Sequence, residues 1–141
     1  MTGIADLLVE HRQLEKQAAR LIEVVRMEMA DSAMVAGERW RMAQLLFDHC
    51  GHEDRVVYDR LLASGDAAAT ADAWAFRQEH GGLSAMFAQF IAEWPVDRIA
   101  REWLYFRAET ESVVASLAAR IAHEESILFA HVERVLIRRA A

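Results

Sequence analysis

The sequence predicts an all-α chain folded as an up-down-up-down four-helix bundle of two similar helical hairpins. Turn chemistry is scarce: one proline, Pro95, and six glycines punctuate 141 residues, too few for the tight turns of a sheet protein. Helix formers such as Ala, Leu, Glu, Arg and Met dominate, and apolar residues recur at three-four spacing. The chain also repeats itself. His49-Cys50-Gly51-His52-Glu53-Asp54-Arg55-Val56-Val57-Tyr58 aligns without a gap with Arg120-Ile121-Ala122-His123-Glu124-Glu125-Ser126-Ile127-Leu128-Phe129, at an offset of 71 residues. Glu10-His11-x-x-Leu14 aligns with Glu79-His80-x-x-Leu83 at an offset of 69. Repeats in alternate helices are what two hairpins related by a pseudo-twofold axis produce.

The first helix is expected from about Thr2 to Ala30, on the stripe Ile4, Leu7, Leu8, His11, Leu14, Ala18, Ile22, Val25 and Met29. Asp31-Ser32 marks a loop. The second helix runs from about Ala36 to Ala63, with Met42, Leu45, Leu46, His49, Glu53, Val56 and Val57 on one face. Ser64-Gly65-Asp66 ends it, Gly65 being suited to a left-handed C-terminal cap. Thr70 or Asp72 is placed to cap the third helix, which runs to about Glu93 on the stripe Ala73, Phe76, His80, Leu83, Phe87 and Ile91. Gly81-Gly82 inside it costs roughly 1 kcal/mol per glycine, a sign of close packing, site access or a local kink. Trp94-Pro95-Val96-Asp97 is the next break, with Asp97 a candidate N-cap. The fourth helix is expected from about Arg98 to Ile137, long enough to bend near Thr110.

Bulk properties exclude several functions. The length suits a single domain over residues 1–141, with 54% hydrophobic residues to build its core. A net charge of −6 with no basic cluster argues against nucleic acid or an anionic membrane as partner. No apolar run approaches the ~18 residues of a membrane span. Cys50 is the sole cysteine, which fits a reducing compartment. No basic region precedes an apolar run at the N-terminus, so a cytoplasmic location is expected. Gly-rich phosphate loops, Cys-x-x-Cys pairs and nucleophile elbows do not occur.

The chemistry lies in polar residues set in the middle of apolar stripes. His49 and Glu53 stand four apart, about 40° apart in projection, so both can point at one ion. Leu45, Leu46 and Val56 flank them. A carboxylate buried there needs a partner, because an unpaired buried charge is costly. His11 and His80 are centred on their own stripes, and Glu124 is the repeat-equivalent of Glu53. Three imidazoles and two carboxylates thus converge from four helices, the donor set of carboxylate-bridged iron or manganese pairs in bundles. Taken singly, His11 or His80 reads as a hydrogen-bonded core or boundary residue; polar residues set mid-stripe in all four helices together favour a metal site. Glu15, four after His11, reads as a half-exposed charge. His131, seven beyond Glu124 and roughly 10 Å along the helix, reads as near the bundle end. Tyr58 and Tyr105 read as packing aromatics, and Cys50 as an inert thiol with no base to activate it.

Over nearly its whole length this pattern resembles the hemerythrin-like (HHE cation-binding) family. That family places His on the first helix, His-x-x-x-Glu on the second, His on the third and His-x-x-x-Glu on the fourth. By position, His11, His49, Glu53, His80 and Glu124 match. The resemblance implies a non-haem di-iron centre with an oxo or hydroxo bridge. It also implies binding or sensing of dioxygen or nitric oxide, or the handling of iron and peroxide. One position departs: the fourth-helix histidine falls at Arg120, and a guanidinium cannot ligate a metal. His123 is the candidate substitute, although it projects about 60° from the position-120 direction. His52 has the same placement on the second helix and reads as a residue at the margin of the site. A di-iron site admits a binding or sensing protein and, equally, a peroxide-consuming or iron-oxidising enzyme; Arg120 adds a single-metal (zinc or iron) site and a metal-free bundle working through partners or as a homodimer.

Overall fold

His11, His49, Glu53 and Glu124, polar residues that interrupt three of the stripes, form one layer across the helices. The computed structural model describes residues 3–80 and 82–140, except the side chains of residues 79, 80, 136 and 138–140. Among the described residues there is helix and no strand. Helix α1 (Gly3–Val25) is followed by α2 (Ser32–Glu53), which passes through a π-helical turn, π1 (Asp54–Tyr58), into the short α3 (Asp59–Leu62). Next come α4 (Ala67–His80) and α5 (Leu83–Glu93). The last part comprises α6 (Val96–Arg101), α7 (Trp103–His123), a second π-helical turn, π2 (Glu124–Leu128), and α8 (Phe129–Ala140). Helix α1 packs on α2 and α7, and α5 packs on the same two, so the four enclose a common interior.

Local chemistry sets the boundaries. Asp31 caps α2, its carboxylate accepting from the Met34 amide at 3.1 Å, so α2 starts at Ser32 rather than near Ala36. Asp66, not Thr70 or Asp72, serves the start of α4 by accepting from the Ala69 amide at 3.0 Å. Gly65 has φ +75°, the left-handed conformation its position called for. The third expected helix is two: α4 ends at His80, and Gly82 is extended (φ −90°, ψ 135°) ahead of α5. Two adjacent glycines each weaken a helix, and together they end it. The fourth is also divided. Pro95, not Asp97, occupies the cap of α6, and a break at Glu102 precedes α7. Thr110 sits inside uninterrupted α7, its hydroxyl donating to the Phe106 carbonyl at 2.8 Å.

Two apolar clusters flank the polar layer. One contains Leu14, Leu46, Leu83 and Ile121; the other contains Leu7, Val56, Phe76 and Leu128. Along α1 the order is Leu7, His11, Leu14. Along α2 and π1 it is Leu46, His49, Glu53, Val56. Along α7 and π2 it is Ile121, Glu124, Leu128. His80 falls between Phe76 and Leu83 in the chain. Burial of apolar side chains above and below therefore holds the polar residues away from water, at roughly 25 cal/mol per Å² of apolar surface removed. No helix among the described residues is long and apolar enough to cross a membrane.

Candidate metal centre

His11, His49, Glu53 and Glu124 each bring a ligand atom to one place, and these atoms lie within 4.8 Å of one another. All four residues are buried, His11 and Glu124 completely. The Nε2 atoms of His11 and His49 are 3.1 Å apart. Glu53 Oε2 lies 2.9 Å from His49 Nε2 and 3.8 Å from His11 Nε2. Glu124 Oε1 is 3.2 Å from His11 Nε2, but out of hydrogen-bonding alignment, so this buried oxygen has no hydrogen-bond partner.

The outer edge of each imidazole explains why the inner edges meet. His11 Nδ1 donates to Glu125 Oε2 at 2.8 Å, and His49 Nδ1 donates to Glu10 Oε1 at 2.8 Å. An ionised carboxylate only accepts, so the proton of each neutral ring stands on Nδ1 and the Nε2 lone pair faces inward. With both rings neutral, two nitrogen lone pairs and carboxylate oxygens point at one another with no donor among them; without a metal ion, a proton on a ring fills that place. Such a set calls for a cation, and its nitrogen-plus-oxygen composition suits iron, manganese or zinc. Carboxylate–histidine pairs of this kind orient metal ligands and raise their basicity. Phe129 fixes His11 from one side, stacked at 5.3 Å between ring centroids.

The pull on cations shows in the proton affinities. Burial alone would lower His11, but the carboxylates of Glu124, Glu53 and Glu125 around its ring raise it to about 10. His49 is also raised: burial opposes, and Glu53 prevails. Burial works to raise Glu53, yet His11 and His49 hold it down near 2. Glu124, dominated by burial, is pushed up to about 7.

Two π-helical turns flank this layer one residue out of register with the repeat, one just after Glu53 and one starting at Glu124, the repeat-equivalent of Glu53. Each closes with an amide bonding five residues back, Asp59 to Asp54 and Phe129 to Glu124. The wider turn lets Val56, Val57 and Tyr58 be buried in succession beyond the face that carries the polar cluster.

The remaining sequence-derived candidates are placed as follows. His80 ends α4 at the level of the layer, but its side chain lies outside the described residues. His123 is exposed, its ring 4.8 Å from that of Phe76, and is not among the four clustered residues. Arg120 is buried. Its Nε donates to Glu124 Oε2 at 3.2 Å, and its guanidinium lies 4.7 Å from the Phe76 ring centre. His52 donates from Nδ1 to Glu10 Oε2 at 2.7 Å, so Glu10 links it to His49. Glu15 pairs on the surface with Arg12 at 2.6 Å. His131 meets Asp72 at 2.5 Å, away from the layer. Tyr105 is exposed. Burial pushes the Cys50 thiol up to about 11, which keeps it protonated.

Sequence reasoning missed Glu10 and Glu125. A signal existed, since each adjoins a residue of the clustered four, and the Glu-His pair of residues 10–11 recurs at 79–80.

Residues 2–132 match the family model described as hemerythrin HHE cation binding domain. No curated protein and no solved structure matches the chain.

Proposed function

This chain belongs to the hemerythrin HHE cation-binding family, and from that premise we propose that it is a non-haem iron protein handling a small ligand: dioxygen, nitric oxide or peroxide. The observation that carries the reading is the inward-facing acceptor set of His11, His49, Glu53 and Glu124, with the outer nitrogens of both histidines held by Glu125 and Glu10. Iron bound there would supply redox and ligand-binding chemistry. The chain's own residues orient the donors, exclude water from the layer and hold the outer protons.

Two-iron occupancy, the family's arrangement, requires more donors than these four. His80 and His123 are the residues proposed to supply them. A second reading, one metal ion per chain, is favoured by a specific contact: Arg120 engages Glu124 Oε2, leaving Oε1 for an ion. A fixed positive charge beside that carboxylate opposes a second cation.

Metal analysis and absorption spectroscopy on aerobic protein from iron-supplied cells test both readings. About two irons per chain, with near-ultraviolet bridge absorption, is the outcome of the di-iron reading. About one iron without that band supports the single-ion reading. Protein that takes up neither iron nor zinc refutes the proposal.

A further inference from the structure

A cavity of about 240 Å³ opens against the metal layer, bounded by Glu53, Glu124, Tyr58, Arg120 and Arg77. One water requires only ~10–15 Å³ of such space, so a ligand of several non-hydrogen atoms fits. Its lining holds an unanswered donor. Tyr58 is 4% exposed, and its hydroxyl has no hydrogen-bond partner among the described residues. Arg120 stands close enough to act on that hydroxyl electrostatically, without forming an aligned bond to it. A buried hydroxyl without a partner is costly, so a group that satisfies it is favoured there. Arg77 closes the outer side, its guanidinium 4.5 Å from the Tyr58 ring centre while it pairs with Asp54 at 3.0 Å.

Charge balance gives the sign of the missing partner. A divalent ion on His11, His49, Glu53 and Glu124 is neutralised by the two carboxylates. Glu124 then no longer compensates the guanidinium of Arg120. Behind the imidazoles, Glu125 is shared with Arg12, and Glu10 is partly exposed and shared with His52. Arg77 is answered by Asp54. Among the described residues, the excess on the cavity side is one buried positive charge. A guanidinium fork offers paired N–H groups that match two oxygens of one planar anion, with only its Nε–H committed to Glu124. An apolar diatomic gas gains nothing from those donors.

We propose that the metal-loaded protein binds a small planar oxyanion of the carboxylate or nitrite class in this cavity, gripped by Arg120 and Tyr58. This rests on the metal-binding reading above, and it assigns that site a polar anionic ligand.

Formate serves as the probe and zinc, which is redox-inert, as the metal. Calorimetry measures formate binding to zinc-loaded and metal-free protein, with zinc content measured on every sample. The zinc-loaded protein should bind formate saturably and the metal-free protein at least tenfold more weakly. Arg120→Gln should weaken binding tenfold or more, and Tyr58→Phe, which preserves the packing, several-fold. Stoichiometric zinc with no formate binding overturns the anion proposal and leaves the metal reading standing. So does formate binding that Tyr58→Phe and Arg120→Gln leave unchanged. A protein that takes up no zinc or iron overturns both.

Discussion

Glu10 touches no metal position, yet its removal should weaken metal binding by about an order of magnitude. Its Oε1 accepts the Nδ1 proton of His49 at 2.8 Å, and its Oε2 accepts that of His52 at 2.7 Å. The first bond fixes the His49 tautomer and the aim of Nε2. In Glu10→Gln one amide oxygen can still accept from His49, but the charge is gone. Charge-assisted bonds contribute roughly 1.5–3 kcal/mol against about 0.5–1.5 for neutral ones, a difference near 1 kcal/mol, or about fivefold in affinity. Glu10→Ala leaves His49 Nδ1 without this partner, and losses at such orienting residues run about 10–100-fold. Glu10 is 28% exposed, so water screens its charge and replaces part of the lost bond. The expected loss therefore sits near the tenfold end. Competition against a chelator of known zinc affinity measures it, with circular dichroism to confirm that the helices persist. Wild-type zinc affinity in Glu10→Ala would refute the tautomer argument, because nothing would then depend on which nitrogen carries the proton.

Other outcomes follow from the same geometry. Arg120→His should raise bound iron toward about two ions per chain by exchanging a repelling charge for a donor; unchanged stoichiometry by metal analysis counts against Arg120 as the obstacle. Metal-free protein should lose thermal stability as pH rises. His11 is raised from 6.5 to about 10, so its contribution is complete below the unfolded value and is lost on passing through the folded one. Melting temperatures of chelator-treated protein should fall between pH 6.5 and 10, and a rise across that window would contradict the assignment. Gly3→Ala should destabilise, since an added Cβ would lie 2.5 Å from Val56 Cγ2. Overpacking costs about 1–3 kcal/mol, and the lower end applies because a first helical turn can shift; urea titration reads it.

The buried polar layer was legible because burial obeys helical period. His11, His49, Glu53 and Glu124 each sit where an apolar side chain was due, and a polar residue in such a place must find partners. Glu10 and Glu125 escaped because period is read along one helix. Each lies about 100° off its own stripe but reaches around to the outer edge of an imidazole on a neighbouring helix. That reach depends on how the helices pack, which spacing does not contain. The break at Gly81-Gly82 was visible in composition, but an unbroken stripe from Phe76 to Phe87 masked it. The π-helical turns were invisible for a related reason: three successive apolar residues, Val56, Val57 and Tyr58, read as an ordinary wide apolar face.

Those turns make the chain intolerant of changes in length beside its buried polar layer. A π turn holds one residue more than an α-helix would close with, so everything beyond it is advanced by about 100°. The stretch ending at Leu62 thus carries two phases, one aiming His49 and Glu53 and another aiming Val57 and Leu61. Deleting one residue between Asp54 and Tyr58 would merge the phases and swing the far apolar face toward solvent. The same holds for Glu124–Leu128. Substitutions there can be absorbed one side chain at a time, whereas a loss in one turn would break its match with the other and set the two hairpins at odds.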